Sequence, residues 1–348
     1  MAQTNSTTPF KFAIVGTGSI AGLHLTAIQD IPNAEVVALC SSSEERAAKA
    51  EEKFGIKTYF NLDTLLDQED LDALIICTAS GNHLEPTEKA AKKGIHVLTE
   101  KPLEVTIERA QKMIDVCKEN NVKLACVFQS RFKPDYQKLY NAVKNNKLGK
   151  LILGNAFINW YRPDEYYSSS PWRGTIEGDG GAALINQGIH TIDLLQNIMG
   201  PIKSVTAKVK TVVHQIEGED LGVAMIEFEN GAMGVIQGST AAYPGYPERL
   251  EVYGENGSAI IEAGKIAAWN IREEVTEEQK DDNRKEQDSG ASDPMAIDYA
   301  YHKFQIEDFV NAVREDRDPI VTGEEGLKAL ALIRAIYESS QTDQKVHF

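Results

Sequence analysis

Cysteine is scarce: Cys40, Cys77, Cys117 and Cys126 are the only four in 348 residues. No pair has metal or redox spacing. All fall in apolar or helical patterns, so the expectation is buried, reduced thiols and a cytoplasmic location. Long apolar runs are also missing. None approaches the roughly 20 residues that span a bilayer. Met1 to Pro9 is polar, lacks the apolar core of a secretory signal, and reads as a short disordered lead-in. Cations are in deficit: 36 Lys and Arg against 52 Asp and Glu leave a formal net charge of -16, a field that repels nucleic acid. His83, His96, His190, His214 and His302 are scattered without ligand spacing such as H-x-x-x-H, so no metal is expected. Aromatics make up only 7%, which makes any local concentration of them informative. There are no internal repeats.

What is present is enough chain for two packed domains. Through residue 128, short apolar runs alternate with amphipathic helical patterns. Strands are expected at Lys11 to Val15, Glu35 to Cys40, Leu71 to Cys77, Ile95 to Leu98 and Lys123 to Phe128. Helices are expected at Ser19 to Gln29, Glu44 to Phe54, His83 to Lys93 and Ile107 to Glu119. That alternation implies βαβ units, a parallel sheet and a doubly wound Rossmann domain over 1–128. From 129 to 348 the rhythm changes. A helix around Asn186 to Ile198 precedes longer strands at Ser204 to Val213, Leu221 to Glu229, Met233 to Thr240, Arg249 to Tyr253 and Ser258 to Glu262. Asn230-Gly231 is a hairpin signal. The expectation is an α+β domain with a large, mainly antiparallel sheet. Arg272 to Ala291 is charged and reads as a solvated loop. Helices at Tyr301 to Arg314 and Gly323 to Glu338 close the chain.

Gly16-Thr17-Gly18-Ser19-Ile20-Ala21 matches G-x-G-x-x-[GA], follows a strand pattern and opens a helix pattern. Gly16 permits the tight turn, Gly18 the approach of a pyrophosphate, and Ala21 close helix-strand packing. Ser19 and Ile20 open the helix whose free N–H groups and positive dipole end suit phosphate. The end of the second strand should read the adenine ribose. Cys40-Ser41-Ser42-Ser43 stands there with no carboxylate, and Arg46 follows either as a phosphate contact or as a plain surface residue. Ser41 therefore leaves NAD and NADP both open.

Four segments carry a family resemblance. Ile75-Ile76-Cys77-Thr78 with Ser80-Gly81-Asn82-His83 is one, and Gly94-Ile95-His96-Val97-Leu98-Thr99-Glu100-Lys101-Pro102 is the second. The third is Gly180-Gly181-Ala182-Ala183-Leu184-Ile185-Asn186-Gln187-Gly188-Ile189-His190, running on to Asp193, and the fourth is Gln305-Ile306-Glu307-Asp308-Phe309. Together they resemble the glucose-fructose oxidoreductase / inositol dehydrogenase (Gfo/Idh/MocA) family, in its order and across nearly the whole chain. The resemblance implies hydride transfer between NAD or NADP and a secondary alcohol or ketone of a sugar, sugar derivative or cyclitol. It places Thr78, His83 and Glu100 at the cofactor, Lys101 beside the nicotinamide ribose, and His190 as general acid/base. Asn186 stands where many members carry Asp, which puts in doubt any mechanism needing a carboxylate there. The resemblance and the long strands also imply a homo-oligomer, a dimer or tetramer. A sugar–sugar oxidoreductase with tightly held cofactor, or a cofactor-binding sensor without turnover, are the alternatives.

The residue chemistry gives separate support. Removing a hydroxyl proton near neutral pH suits histidine, with its ordinary pKa of about 6.5. Asn186 and His190 are four apart, which puts them on one face of a helix, just after a glycine-rich turn where a helix N-terminus can face a ligand. A lysine beside substrate can relay a proton or steady an alkoxide. Between a strand candidate and that helix lie Trp160-Tyr161-Arg162, Tyr166-Tyr167 and Pro171-Trp172-Arg173. Tyr161 and Trp172 can stack on sugar faces, and Arg173 can fork onto a carboxylate or phosphate. Core or interface packing explains aromatics equally well. Arg131, past the last Rossmann strand, is a further substrate contact on this reading, while His214 reads as a solvated sheet residue.

Overall fold

The structure is a computed structural model describing residues 8–272 and 298–348. Most of the polar lead-in, and the charged loop beyond Arg272, lie outside these. The chain forms two compact units, one of residues up to 129 with 298–327, the other of 130–297 with 328–348. Residues 298–327, placed with the second domain by the sequence reading, thus cluster with the first unit.

The first unit runs β1 (Phe10–Val15), α1 (Ser19–Gln29), β2 (Ala34–Cys40), α2 (Glu44–Phe54), β3 (Thr58–Tyr59), α3 (Leu62–Gln68), β4 (Ala73–Ile76), α4 (Leu84–Ala91), β5 (His96–Thr99), α5 (Ile107–Glu119) and β6 (Leu124–Cys126). Its strands pair in parallel in the order β3-β2-β1-β4-β5-β6. Every residue of β4 is buried, as expected of a strand covered on both faces. Phe12, Ile14, Ile75 and Leu98 from the sheet pack with Leu25 and Ile28 of α1. Helix starts follow local chemistry: the side chains of Ser43, Asn61 and Thr106 cap α2, α3 and α5. Strand order reverses between β1 and β4, the position where such sheets bind ligands at their carboxyl ends.

The second unit carries α6 (Pro134–Lys144), β7 (Leu151–Asn159), α7 (Asp164–Ser168), a single wide π-type turn (Ala183–Gly188), α8 (Ile189–Met199), β8 (Ile202–Lys210), β9 (Leu221–Phe228), β10 (Met233–Ser239), β11 (Arg249–Gly254), β12 (Gly257–Glu262) and β13 (Lys265–Ile271). Then α9 (Ala300–Arg314) returns to the first unit, where Ile306, Phe309 and Val310 join its core. The last helix, α10 (Gly323–Thr342), starts in the first unit and ends in the second, and β14 (Val346–His347) closes the chain. The sheet order is β13-β12-β11-β7-β10-β9-β8-β14. It is mainly antiparallel, but β7 and β10 pair in parallel. Asn230-Gly231 makes the β9–β10 hairpin, with Gly231 at φ +84° and the Asn230 side chain accepting from the Ala232 amide at 2.9 Å.

Candidate active site

In the first unit, Gly16 follows β1 at φ +94°, and a Cβ there would stand 2.4 Å from the Cys77 carbonyl oxygen, so the turn admits only glycine. Above Gly18 the space is open, with nothing within 4 Å of a Cβ built there. Gly18 starts α1 without any side-chain cap, and the first turn holds no acidic residue. The free N–H groups of this terminus and the room over Gly18 fit a pyrophosphate. Ser19 is exposed and Ile20 half-buried at the mouth of the turn. Ser41, at the end of β2, is buried with its hydroxyl 2.9 Å from that of Thr17. Arg46 is exposed and donates to the Ser42 hydroxyl at 3.2 Å, so a cation borders the ribose position and no carboxylate replaces Ser41.

The segment after β4 is held by Thr78, whose hydroxyl donates to the Asn82 carbonyl at 3.0 Å. His83, a cofactor contact on the resemblance, is the N-cap residue of α4, and its Nε2 has no hydrogen-bond partner among the described residues. It is buried, burial lowers its pKa, and Nδ1 donates to the Pro102 and Leu103 carbonyls at 3.0 and 3.2 Å. These two bonds brace the chain just past Lys101. Glu100 is likewise internal. Burial alone would raise its carboxyl, but His24, with help from His302 and Lys101, holds it down to about 2. Its Oε1 accepts from His24 Nε2 at 2.7 Å, and its Oε2 accepts from the Lys101 amide at 3.3 Å. His24 and Glu100 thereby anchor the backbone that carries the half-buried Lys101.

In the second unit, the helix expected from Asn186 begins earlier and wider. The amides of Asn186 and Gln187 both reach the Ala182 carbonyl, at 3.2 and 3.3 Å, which makes the wide turn. Asn186 therefore sits in that turn and His190 is the second residue of α8. The N-terminus of this helical segment does not await a ligand. Buried Glu219 accepts from the amides of Ala182 at 3.1 Å and Leu184 at 2.7 Å, and from the Tyr337 hydroxyl at 2.9 Å.

Arg131 is a correction. Its guanidinium forks onto Asp193 at 2.6 and 2.8 Å, both side chains buried, so the fork is spent within the fold. His214 is a second one. It is buried, with Nδ1 3.1 Å from Asp220 Oδ2 and Nε2 2.8 Å from the Arg162 carbonyl. The aromatic segment holds together around Tyr166. The Arg173 guanidinium lies 4.3 Å over the Tyr166 ring and donates to the Tyr166 carbonyl at 3.1 Å and the Ser169 hydroxyl at 2.7 Å. Arg173 Nε is buried with no hydrogen-bond partner among the described residues. Trp172 and Tyr161 are half-buried, and the Tyr161 ring meets that of Tyr243 edge-on at 5.2 Å.

Three polar residues to which sequence reasoning gave no role, Asp179, Gln187 and Glu219, complete the geometry together with Arg162 of the aromatic segment. All are buried in the second unit. Gln187 and Asp179 do adjoin the glycine-rich motif, but nothing in a sequence signals which polar residues will bond to one another.

The chain matches two models of one oxidoreductase family, its NAD-binding Rossmann fold over residues 10–128 and its C-terminal alpha/beta domain over 141–348. Myo-inositol 2-dehydrogenase of Thermotoga maritima is 29% identical over 97% of this chain and 98% of its own. Among solved structures, the WlbA dehydrogenase of Bordetella pertussis, in complex with NADH and UDP-GlcNAcA, is 31% identical, with a TM-score of 0.86 over 98% of this chain and 99% of that one. The Chromobacterium violaceum WlbA complex with the same two ligands is 29% identical, with a TM-score of 0.87 over 98% and 96%.

Proposed function

The chain belongs to the Gfo/Idh/MocA oxidoreductase family, and from that premise we propose that it oxidises a secondary hydroxyl of a sugar bearing an anionic group, a nucleotide-linked uronate being the leading case. The observation that carries this is the 31% identity, over 98% of the chain, to a dehydrogenase that holds NADH and UDP-GlcNAcA. Arg173 supports it, since its buried Nε is a donor suited to a carboxylate or phosphate. The turn from Gly16 to Ala21 would hold the pyrophosphate, and Lys101, whose backbone amide donates to Glu100, would stand beside the nicotinamide ribose as the resemblance implies. When bound, the nicotinamide accepts the hydride. His190 takes the hydroxyl proton, Asn186 holds a neighbouring hydroxyl, and Trp172 and Tyr161 cover the sugar faces.

The test is reduced-nicotinamide absorbance with NAD or NADP and a panel of UDP-linked uronates, neutral UDP-sugars and free cyclitols. Turnover of uronates with Arg173→Ala raising KM for them alone supports the reading, and equal turnover of myo-inositol refutes the anionic preference. We also propose a cytoplasmic setting, consistent with four buried, unbridged thiols. A homo-oligomer is proposed too, built on the sheet face that exposes Val223, Met225 and Met233 at 43–46%. Light scattering at micromolar concentration should return a dimer or tetramer, and a monomer there would end that proposal.

A further inference from the structure

Asn186, where an acid is common in the family, is tied into a chain of side chains whose donors and acceptors leave no ambiguity. The chain starts at Arg162, which is fully buried and can only donate. Its Nε and Nη2 both donate to Gln187 Oε1, at 3.0 and 2.7 Å. That fixes the Gln187 amide, so its nitrogen end donates to the Tyr166 hydroxyl at 2.7 Å and to Asn186 Oδ1 at 2.5 Å. The Asn186 oxygen being assigned, its nitrogen lies toward Asp179 Oδ1 and donates to it. Asp179, a carboxylate, accepts at both oxygens. Its Oδ2 takes the Gly174 amide at 2.9 Å, on the segment that carries Trp172 and Arg173. Asp179 is 1% exposed and Asn186 8%. A buried cation and a buried carboxylate are thus joined through two amides whose orientations follow from the ends, so neither amide flip is arbitrary.

We propose that Asp179 is the carboxylate this chain uses in place of an acid at 186, a positioning residue that fixes the Asn186 amide and so decides the hydrogen-bonding polarity a substrate hydroxyl meets there. The proposal rests on the reading of Asn186 as a substrate contact. It also explains the departure at 186. An Asp there would set two carboxylates against each other in a buried site, and one would have to hold a proton. By joining Asn186 to Gly174, the same carboxylate ties the wide turn to the aromatic segment.

The test is a charge swap, with NAD affinity, melting temperature and steady-state kinetics on the preferred UDP-uronate read for each variant. In Asp179→Asn the new amide cannot accept from both Gly174 and Asn186, so one donor faces another. Melting should fall by about 5 °C and kcat/KM by roughly 10–100-fold, with NAD affinity unchanged. Asn186→Asp should add an ionisation to the kcat/KM profile, activity falling as pH rises through it. In the double variant D179N/N186D, the side-chain oxygen of the amide now at position 179 can take the Gly174 amide. Its nitrogen can donate to the carboxylate now at position 186, whose second oxygen takes Gln187. The melting temperature should return and the extra ionisation vanish, while KM stays raised because the polarity at 186 is reversed. No recovery of melting in the swap would show that the two residues are not paired and would overturn the proposal. Full recovery of KM would overturn it differently, leaving Asp179 purely structural. Asn186→Ala with unchanged KM would instead remove Asn186 from the substrate, a failure recognisable because the swap would still recover its melting temperature.

Discussion

At His190, the second residue of α8, truncation separates chemistry from binding. If this imidazole takes the hydroxyl proton, His190→Ala lowers kcat by about 10²–10⁴-fold, the usual worth of a positioned acid/base. Cofactor affinity should barely move, because on the proposed reading the pyrophosphate is bound by the turn from Gly16 to Ala21 and not by His190. Stopped-flow and fluorescence titration of NAD decide it: a fully active variant with an unchanged pH profile would transfer the role to Lys101 or Tyr161. Ser41 supports a second residue-scale prediction. With Arg46 near and no carboxylate at the carboxyl end of β2, where Cys40 to Ser43 stand, Ser41→Asp should raise the NAD over NADP preference by repelling a 2′-phosphate. An unchanged ratio of kcat/KM for the two cofactors would remove Ser41 from the ribose. Residues of this kind are legible in sequence because backbone demands sit inside a short motif, Gly16 being the plainest case. Arg131 misled for the opposite reason. Its partner Asp193 lies 62 residues away, and nothing local distinguishes an arginine spent on a buried pair from one offered to a ligand. His214 was misread likewise: Asp220 is near in sequence, but the Arg162 carbonyl is 52 residues off.

Among elements, the wide turn before α8 depends on a carboxylate outside it. Gly181 sits at φ +148°, where a Cβ would stand 2.4 Å from the Tyr337 hydroxyl and 2.7 Å from Glu219 Oε2. Burial raises the Glu219 carboxyl, and the amides of Leu184 and Ala182 with the Tyr337 hydroxyl oppose that rise. Glu219→Ala removes the acceptor and strands these buried donors, which should cost about 2–4 kcal/mol. Urea unfolding is the measurement, and a loss under about 1 kcal/mol would show that water or relaxation replaces the carboxylate. The capped helices α2 and α5 have sequence bounds that match the structure at both ends, as does the uncapped α1, whereas the capped but short α3 was not read from the sequence. The strand ahead of Trp160 had no readable bounds. β7 carries Gly154 and buried Asn155 at its middle, residues that disfavour strands. Packing dictates both: a Cβ at Gly154 would lie 2.6 Å from Met199 Sδ, and Asn155 donates to Glu251 Oε2 at 3.0 Å while accepting from the Val235 amide at 3.1 Å. The parallel β7–β10 pairing was hidden because it joins strands that are not consecutive.

Across the whole molecule, a net charge of -16 and a buried acid–imidazole cluster pull stability in opposite directions as pH falls. Protonating surface acids relieves self-repulsion, but those charges are solvated and screened, so the relief is shallow. The cluster of His24, Glu100 and His302 is buried in the first unit, His302 meeting His24 edge-on at 5.5 Å. Burial, then the charge of His24, pushes His302 down to about 4. An unfolded chain protonates that histidine from about pH 6.5, so its contribution is complete above 6.5 and erodes down to about 4, by roughly 3 kcal/mol. Glu100, held down to about 2, has the same sign in a lower window. Its contribution is present above about pH 4.3, the unfolded carboxyl's value, and is lost toward 2. The two windows adjoin, so the first unit should weaken continuously from near neutrality downward rather than in one late step. His302→Gln should flatten the upper window and, by removing one of the groups that hold Glu100 down, narrow the lower one while His24 keeps it in place. Amide hydrogen exchange in α1 and α9, which carry His24 and His302, reads this unit directly across the pH range. Protection that stays constant from about pH 6.5 to 4.5 in the wild type would show that His302 gains its proton without opening the fold.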